Sequence, residues 1–173
     1  MTNRERRILR PRPLLEALEQ AGVRYVVIGG TAAVIRGATH LTFDLDITPA
    51  RDLANLGRLE AALVELGARP FGIPEDQLAS FRLDAQTLPS GSTWKFLTQH
   101  GELGVVLDPD GTRGFEDLVR SASRTEVYGR SILVASLEDV IRSKEAAGRQ
   151  RDRAVLPGLR RTLELERGRR SAG

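Results

Sequence analysis

Cysteine is absent from the 173-residue chain, which excludes disulfides, zinc-thiolate sites and cysteine nucleophiles together. Histidine occurs only at His40 and His100, so a multi-histidine metal centre is excluded as well. No apolar stretch reaches the roughly 18 residues of a membrane span, and the basic segment Met1 to Arg12 lacks the apolar run of a signal peptide. A cytoplasmic protein with no membrane partner is therefore expected. Lysine is almost missing: the chain holds 24 arginines but only Lys95 and Lys144. A lysine that persists against such a bias draws interest, because its compact ammonium binds phosphate as a point charge.

Apolar residues make up 40% of the chain, enough for one globular core. The expected organisation is a basic arm over residues 1–12, a single domain over 13–167 and a frayed basic tail over 168–173. Charge is unevenly spread. Residues 1–12 carry five Arg and one Glu, and residues 142–173 carry nine Arg and one Lys against four acids, whereas 13–141 carries 11 bases and 18 acids. Basic ends on an acidic body suit a polyanionic partner; a solvated arginine-rich tail reads equally well from charge alone.

Hydrophobic spacing predicts a helix over Pro11 to Gln20, a buried strand over Arg24 to Ile28, and a helix over Thr31 to Arg36 that opens directly from Gly29-Gly30. A second strand is expected over Leu41 to Ile47, ended by Pro49, and a helix over Leu53 to Leu66. Residues 69–80 read as a loop. Strand candidates follow at Ser80 to Ala85, Thr93 to Thr98 and Glu102 to Leu107, then a helix over Arg113 to Ser121. Short strands over Thr125 to Tyr128 and Ile132 to Ala135 flank a turn at Gly129. Ser136, with Asp139 three residues on, caps a helix that runs to Gly148. A last helix is expected from about Arg151 to Glu166. This alternation points to an α/β (α+β) domain, a mixed sheet of about five strands flanked by helices.

The chemistry concentrates between Val26 and Pro49. Glycines at a helix start let a phosphate approach free N–H groups. Asp44 and Asp46, two apart on a strand, point to the same face, with Phe43, Leu45 and Ile47 facing the other way into the core. Two adjacent carboxylates repel unless a cation joins them, and hard oxygen donors suit Mg²⁺ or Mn²⁺. A Gly-Gly turn or a D-x-D strand end is ordinary by itself. Together, in this order, they read as a phosphate cradle beside a dicarboxylate metal site, the parts needed for in-line transfer at phosphorus. Arg149, Arg151 and Arg153 read as steering charges for RNA or as plain surface, Arg36 as a phosphate contact or a helix-end cation, and Lys95 as a surface charge. Trp94 and Phe96 read as core, and His40 and His100 as loop residues without a catalytic part.

The runs VVIGGTAA (26–33) and TFDLDI (42–47), followed by SLEDVIRSKEAAGRQRD (136–152), resemble the polymerase-β-like nucleotidyltransferase superfamily, and within it the small bacterial MenT/AbiEii-type toxins of toxin–antitoxin systems. The resemblance spans about residues 12–160. It implies a minimal polymerase-β-like nucleotidyltransferase fold and transfer of NMP from an NTP to an acceptor hydroxyl, with the tRNA 3′ end as acceptor and an antitoxin as protein partner. It also implies that Asp44 and Asp46 hold the metal, that Gly29, Gly30 and Thr31 cradle phosphate, that Lys144 meets the triphosphate and that Asp152 orients or deprotonates the acceptor. One departure stands out: Gly104, in Gly101-Glu102-Leu103-Gly104-Val105-Val106, occupies the place of the third aspartate of many members. Asp152 or Glu102 would have to replace it. Transfer to a protein or small-molecule acceptor, or a catalytically dead binding module, are the competing readings.

Overall fold

The structure, a computed structural model, describes residues 8–78, 80 and 83–172. Seven strands form one mixed sheet: β1 (Tyr25–Ile28), β2 (Asp44–Pro49), β3 (Arg69–Pro70), β4 (Thr93–Thr98), β5 (Gly101–Val106), β6 (Ser123–Val127) and β7 (Arg130–Val134), in the spatial order β3-β4-β5-β2-β1-β7-β6. The helices are α1 (Pro11–Gln20), α2 (Gly29–Ile35), α3 (Leu53–Glu65), α4 (Glu75–Leu78), α5 (Phe115–Leu118), α6 (Leu137–Ala147) and α7 (Gln150–Ser171). The sheet has two strands more than expected. β3 has only two residues and is part of what reads as a loop, and pairing across the sheet, not local pattern, makes it a strand.

Register explains the two faces of the sheet. β2 runs parallel to β5, and β5 antiparallel to β4, so that Leu45, Leu103 and Phe96 stand directly opposite one another. All three are buried and form the centre of the core. One step along, Asp46, Gly104 and Lys95 stand in a second row. Because side chains alternate along each strand, this row faces the other way. Farther along β2 the same face is closed, since Thr48 and its partner Val26 are fully buried. Near Asp46 the polar face therefore opens where β2 begins, where β1 ends and where α6 follows β7.

Local chemistry positions these elements. Ser136 accepts from the Asp139 amide at 3.1 Å and starts α6, and Gly148 in the left-handed region ends it. That ending turns the chain into α7, which packs back along α6. Tyr128 and Gly129, both with positive φ, make the tight turn between β6 and β7. Buried Asn55 ties α3 to the sheet: its amide nitrogen donates to the Arg24 and Ala50 carbonyls, and its oxygen accepts from the Arg24 amide.

Several expectations change. Pro49 ends β2 as expected, but as its last paired residue, opposite Tyr25. Phe43 precedes β2 and is 54% exposed, not a core anchor, because the strand begins one residue later. The helix expected over Arg113 to Ser121 is the single turn α5. The described part of the strand candidate Ser80 to Ala85 is turn and coil; Phe81 and Arg82 lie outside the described residues, as do residues 1–7 of the expected basic arm. α7 continues through Gly168 to Ser171, where a frayed tail is expected, helped by an Arg170–Glu166 pair at 2.5 Å one turn apart.

Candidate active site

The open end of the sheet forms one wall of a cleft of about 790 Å³. Gly29, Gly30, Asp44 and Asp46 line it from the sheet side, and Lys144 and Asp152 line it from α6 and α7. Side chains about a hundred residues apart in sequence thus meet in one cavity, and the reason is local. Ile28 leads β1 straight into α2, and Gly148 folds α7 back so that Asp152 reaches Lys144.

The glycines are required by close approach. Gly29 has φ +65°, and a Cβ there would lie 3.0 Å from Asp46 Oδ2. A Cβ on Gly30 would lie 3.0 Å from Thr42 Oγ1 and 3.2 Å from His40 Nε2. A Cβ on Gly104 would fall 1.9 Å from Asp46 Oδ1. The space that a side chain at 104 would need is therefore filled by the Asp46 carboxylate.

Asp46 is partly buried, and burial is the main reason its carboxyl is pushed up to about 6; the neighbouring charge of Asp44 adds to the shift, while Lys95, Lys144 and Arg151 oppose it. Asp44 is held by its backbone: its carbonyl accepts from Thr31 Oγ1 at 2.9 Å and from Thr42 Oγ1 at 3.1 Å. Thr31 is buried and does not line the cleft. Its hydroxyl is committed to the start of β2. Lys95 Nζ lies 3.3 Å from Asp44 Oδ2.

Across the cleft, Lys144 Nζ donates to Asp152 Oδ1 at 3.1 Å. Asp152 is 5% exposed, and among the described residues its Oδ2 accepts no hydrogen bond although Arg149 Nε lies 3.9 Å away. A buried carboxylate oxygen without a donor calls for one from outside the protein. Asp44 and Asp46 offer hard oxygen donors on one open face, and their mutual repulsion is of the kind a divalent cation relieves, so the residues present fit Mg²⁺ or Mn²⁺.

Other candidate residues sort by position. Arg149 and Arg151 line the cleft and Arg153 does not. Arg36 is a strut: it donates to the carbonyls of Val134 and Ala135 and to Ser123 Oγ, joining α2 to β7. Phe96 is core, and the half-buried Trp94 donates from its indole to the Leu88 carbonyl. His40 and Lys95, read from sequence as bystanders, both line the cleft. Burial, followed by the charge of Lys144, keeps the His40 imidazole below its usual pKa. The signal for Lys95 was the scarcity of lysine itself, since both lysines of the chain converge on this cavity.

No protein-family model and no curated protein matches the chain. Solved structures do. The solution structure of the antibiotic-resistance factor ANT(2'')-Ia aligns with 94% of this chain and 91% of that one at 16% identity and a TM-score of 0.56. The lincosamide antibiotic adenylyltransferase LnuA, with lincomycin bound, aligns with 88% of this chain and 98% of that one at 16% identity and a TM-score of 0.58. An inferred nucleotidyltransferase of Thermotoga maritima, TM1012, aligns with 90% of this chain and 96% of that one at 18% identity and a TM-score of 0.56. The chain has the nucleotidyltransferase fold. Within that fold, the glycine pair opens α2 directly after β1, the two aspartates lie on the neighbouring strand β2, and α6 and α7 line the far side of the cleft.

Proposed function

We propose that this protein is a nucleotidyltransferase that moves NMP from an NTP to an acceptor hydroxyl and releases pyrophosphate. The observation that carries this reading is the convergence of Asp44 and Asp46 with Lys144 and Asp152 on one cleft in a nucleotidyltransferase fold.

Asp44 and Asp46 would hold Mg²⁺ or Mn²⁺, which when bound supplies charge stabilisation to the reacting phosphate. Gly29 and Gly30 let the nucleotide approach the backbone at the start of α2 without a Cβ in the way. Thr31 and Thr42 keep Asp44 in place through its carbonyl. Lys144 neutralises the triphosphate and is aimed by Asp152 Oδ1. Asp152 Oδ2, which has no hydrogen-bond donor among the described residues, accepts the proton of the acceptor hydroxyl. Asp152 is preferred to Glu102 as the replacement for the absent third aspartate. Glu102 stands opposite Asp44 on the same sheet face and remains the fallback.

For the acceptor, the reading follows the segment 136–152 and its resemblance to MenT/AbiEii-type toxins: the tRNA 3′ end, in the cytoplasm, with an antitoxin as partner. The basic surplus of residues 142–173 supports a polyanionic acceptor. A small-molecule acceptor is the second reading, favoured by the names of ANT(2'')-Ia and LnuA.

Incubation of the pure protein with total tRNA, Mg²⁺ and each radiolabelled NTP in turn, beside Asp46→Ala, tests both. Label on tRNA that is absent in the variant supports the tRNA reading. Label only on an added lincosamide or other small molecule moves the assignment to the second reading. No transfer to any acceptor, tRNA, protein or small molecule, would leave a fold without this activity.

A further inference from the structure

In-line transfer at phosphorus needs positive charge near the reacting phosphate, and many such enzymes supply it with two metal ions about 4 Å apart. Two ions need ligands for both. Among the described residues, no third histidine or acidic side chain joins Asp44 and Asp46 in a cluster able to hold metal. Two carboxylates are sufficient for one Mg²⁺-class ion, which completes its shell with water and substrate phosphate.

The place for a further ligand is occupied in an informative way. On β5, the position between Asp46 and Lys95 is Gly104, paired to both, and Asp46 fills the space where a side chain would start. From the far side of this glycine, Lys95 projects along the same face and brings its ammonium to 3.3 Å from Asp44. No bulk at 104 separates the lysine from the two aspartates. Its side chain is 44% exposed, so it opens to the cleft as well as to Asp44.

We propose that the site works with a single divalent cation on Asp44 and Asp46, and that Lys95 supplies the second positive charge to the reacting phosphate. This rests on the nucleotidyl-transfer reading and specifies it. The acceptor oxygen forms a bond to the α-phosphorus. The bond from that phosphorus to the bridging oxygen breaks, and its electron pair leaves on pyrophosphate. The acceptor proton passes to Asp152 Oδ2. Lys95 donates a hydrogen bond to a non-bridging oxygen of the α-phosphate, where negative charge builds, and transfers no proton in the step. Lysine suits this task because it acts as a compact point charge. An ordinary exposed ion pair contributes little to stability, so loss of Lys95 leaves the fold intact.

The test combines metal binding with turnover. Mn²⁺ is titrated by electron paramagnetic resonance into the protein with an ATP analogue whose α,β-bridging oxygen is methylene. One Mn²⁺ per ternary complex is expected; two would overturn the proposal. Lys95→Met should bind Mn²⁺ more tightly than the wild type, because a competing cation has left Asp44. Its kcat should fall by about 100-fold with little change in KM for NTP. A purely structural salt bridge predicts the tighter Mn²⁺ binding but not the loss of kcat, and unchanged kcat in Lys95→Met would sink the idea. If the wild type transfers no nucleotide to any acceptor, the parent reading fails by itself; the Mn²⁺ stoichiometry still tells one ion from two.

Discussion

At the scale of single residues, the site depends on a carboxylate pressed between two glycines. Asp46 lies against Gly29 and Gly104, beside Asp44 and partly out of water, so its charge is costly without a cation. Asp46→Asn should therefore raise the melting temperature of the metal-free protein at pH 7.5 while abolishing transfer. Mn²⁺ should raise the melting temperature of the wild type and leave that of the variant unmoved, which differential scanning calorimetry measures. The pH dependence follows from the same shift. A carboxyl whose folded pKa is raised to about 6 binds its proton more tightly folded than unfolded. Its contribution is most favourable below its ordinary range near 4 and is lost as pH rises through about 6. The metal-free protein should lose stability across that window, and Asp46→Asn should flatten the loss. Gly104→Ala is the converse experiment: its Cβ would meet Asp46 Oδ1 at 1.9 Å, so the aspartate must move and Mn²⁺ affinity should fall.

At the scale of elements, the cleft needs α6 and α7 held against the sheet. Ser136→Ala removes the cap of α6 and should cost about 1 kcal/mol in urea denaturation, with a smaller loss of turnover. Asn55 acts at the opposite end of the sheet. Asn55→Ala leaves the Arg24 amide and the Ala50 carbonyl without the partners they have now, and should cost on the order of 3 kcal/mol without changing KM, since the residue is remote from the cleft. Arg36 belongs to the same class. Its hydrogen bonds to the end of β7 make it a strut between α2 and the strand that leads into α6, and its loss should act on stability before it acts on nucleotide binding.

At the scale of the whole molecule, charge separates by position in the chain. The acidic body holds the sheet and the two aspartates, while the C-terminal segment brings Arg149 and Arg151 to the cleft and carries further arginines along α7. If a nucleic acid is the acceptor, its apparent affinity should fall steeply with salt, and Arg149→Ala with Arg151→Ala should flatten the slope. If the acceptor is a small molecule, tRNA binding should show no slope that depends on these two arginines. Filter binding of tRNA between 50 and 300 mM KCl, about the range over which screening changes most, distinguishes the two.

The first half of the site was legible in the sequence because it is local: a strand, two glycines, and two aspartates at strand spacing fix a shared face by backbone geometry alone. The capped start of α6 and its glycine end were legible for the same reason, since capping is decided within four residues. β3 was not, because a two-residue strand exists only through its partner β4. The exposure of Phe43 was missed because β2 begins at Asp44 rather than at the expected Leu41, which leaves Phe43 outside the alternation. Lys95 and His40 could not be placed by local pattern at all. Their position follows from strand order, which sets β4 beside β5 and β5 beside β2. Sequence by itself determined which residue types could hold a cation and a phosphate. The tertiary structure decided which charges share that cavity, because pairing between strands far apart in the chain is a property of the assembled sheet and not of any segment within it.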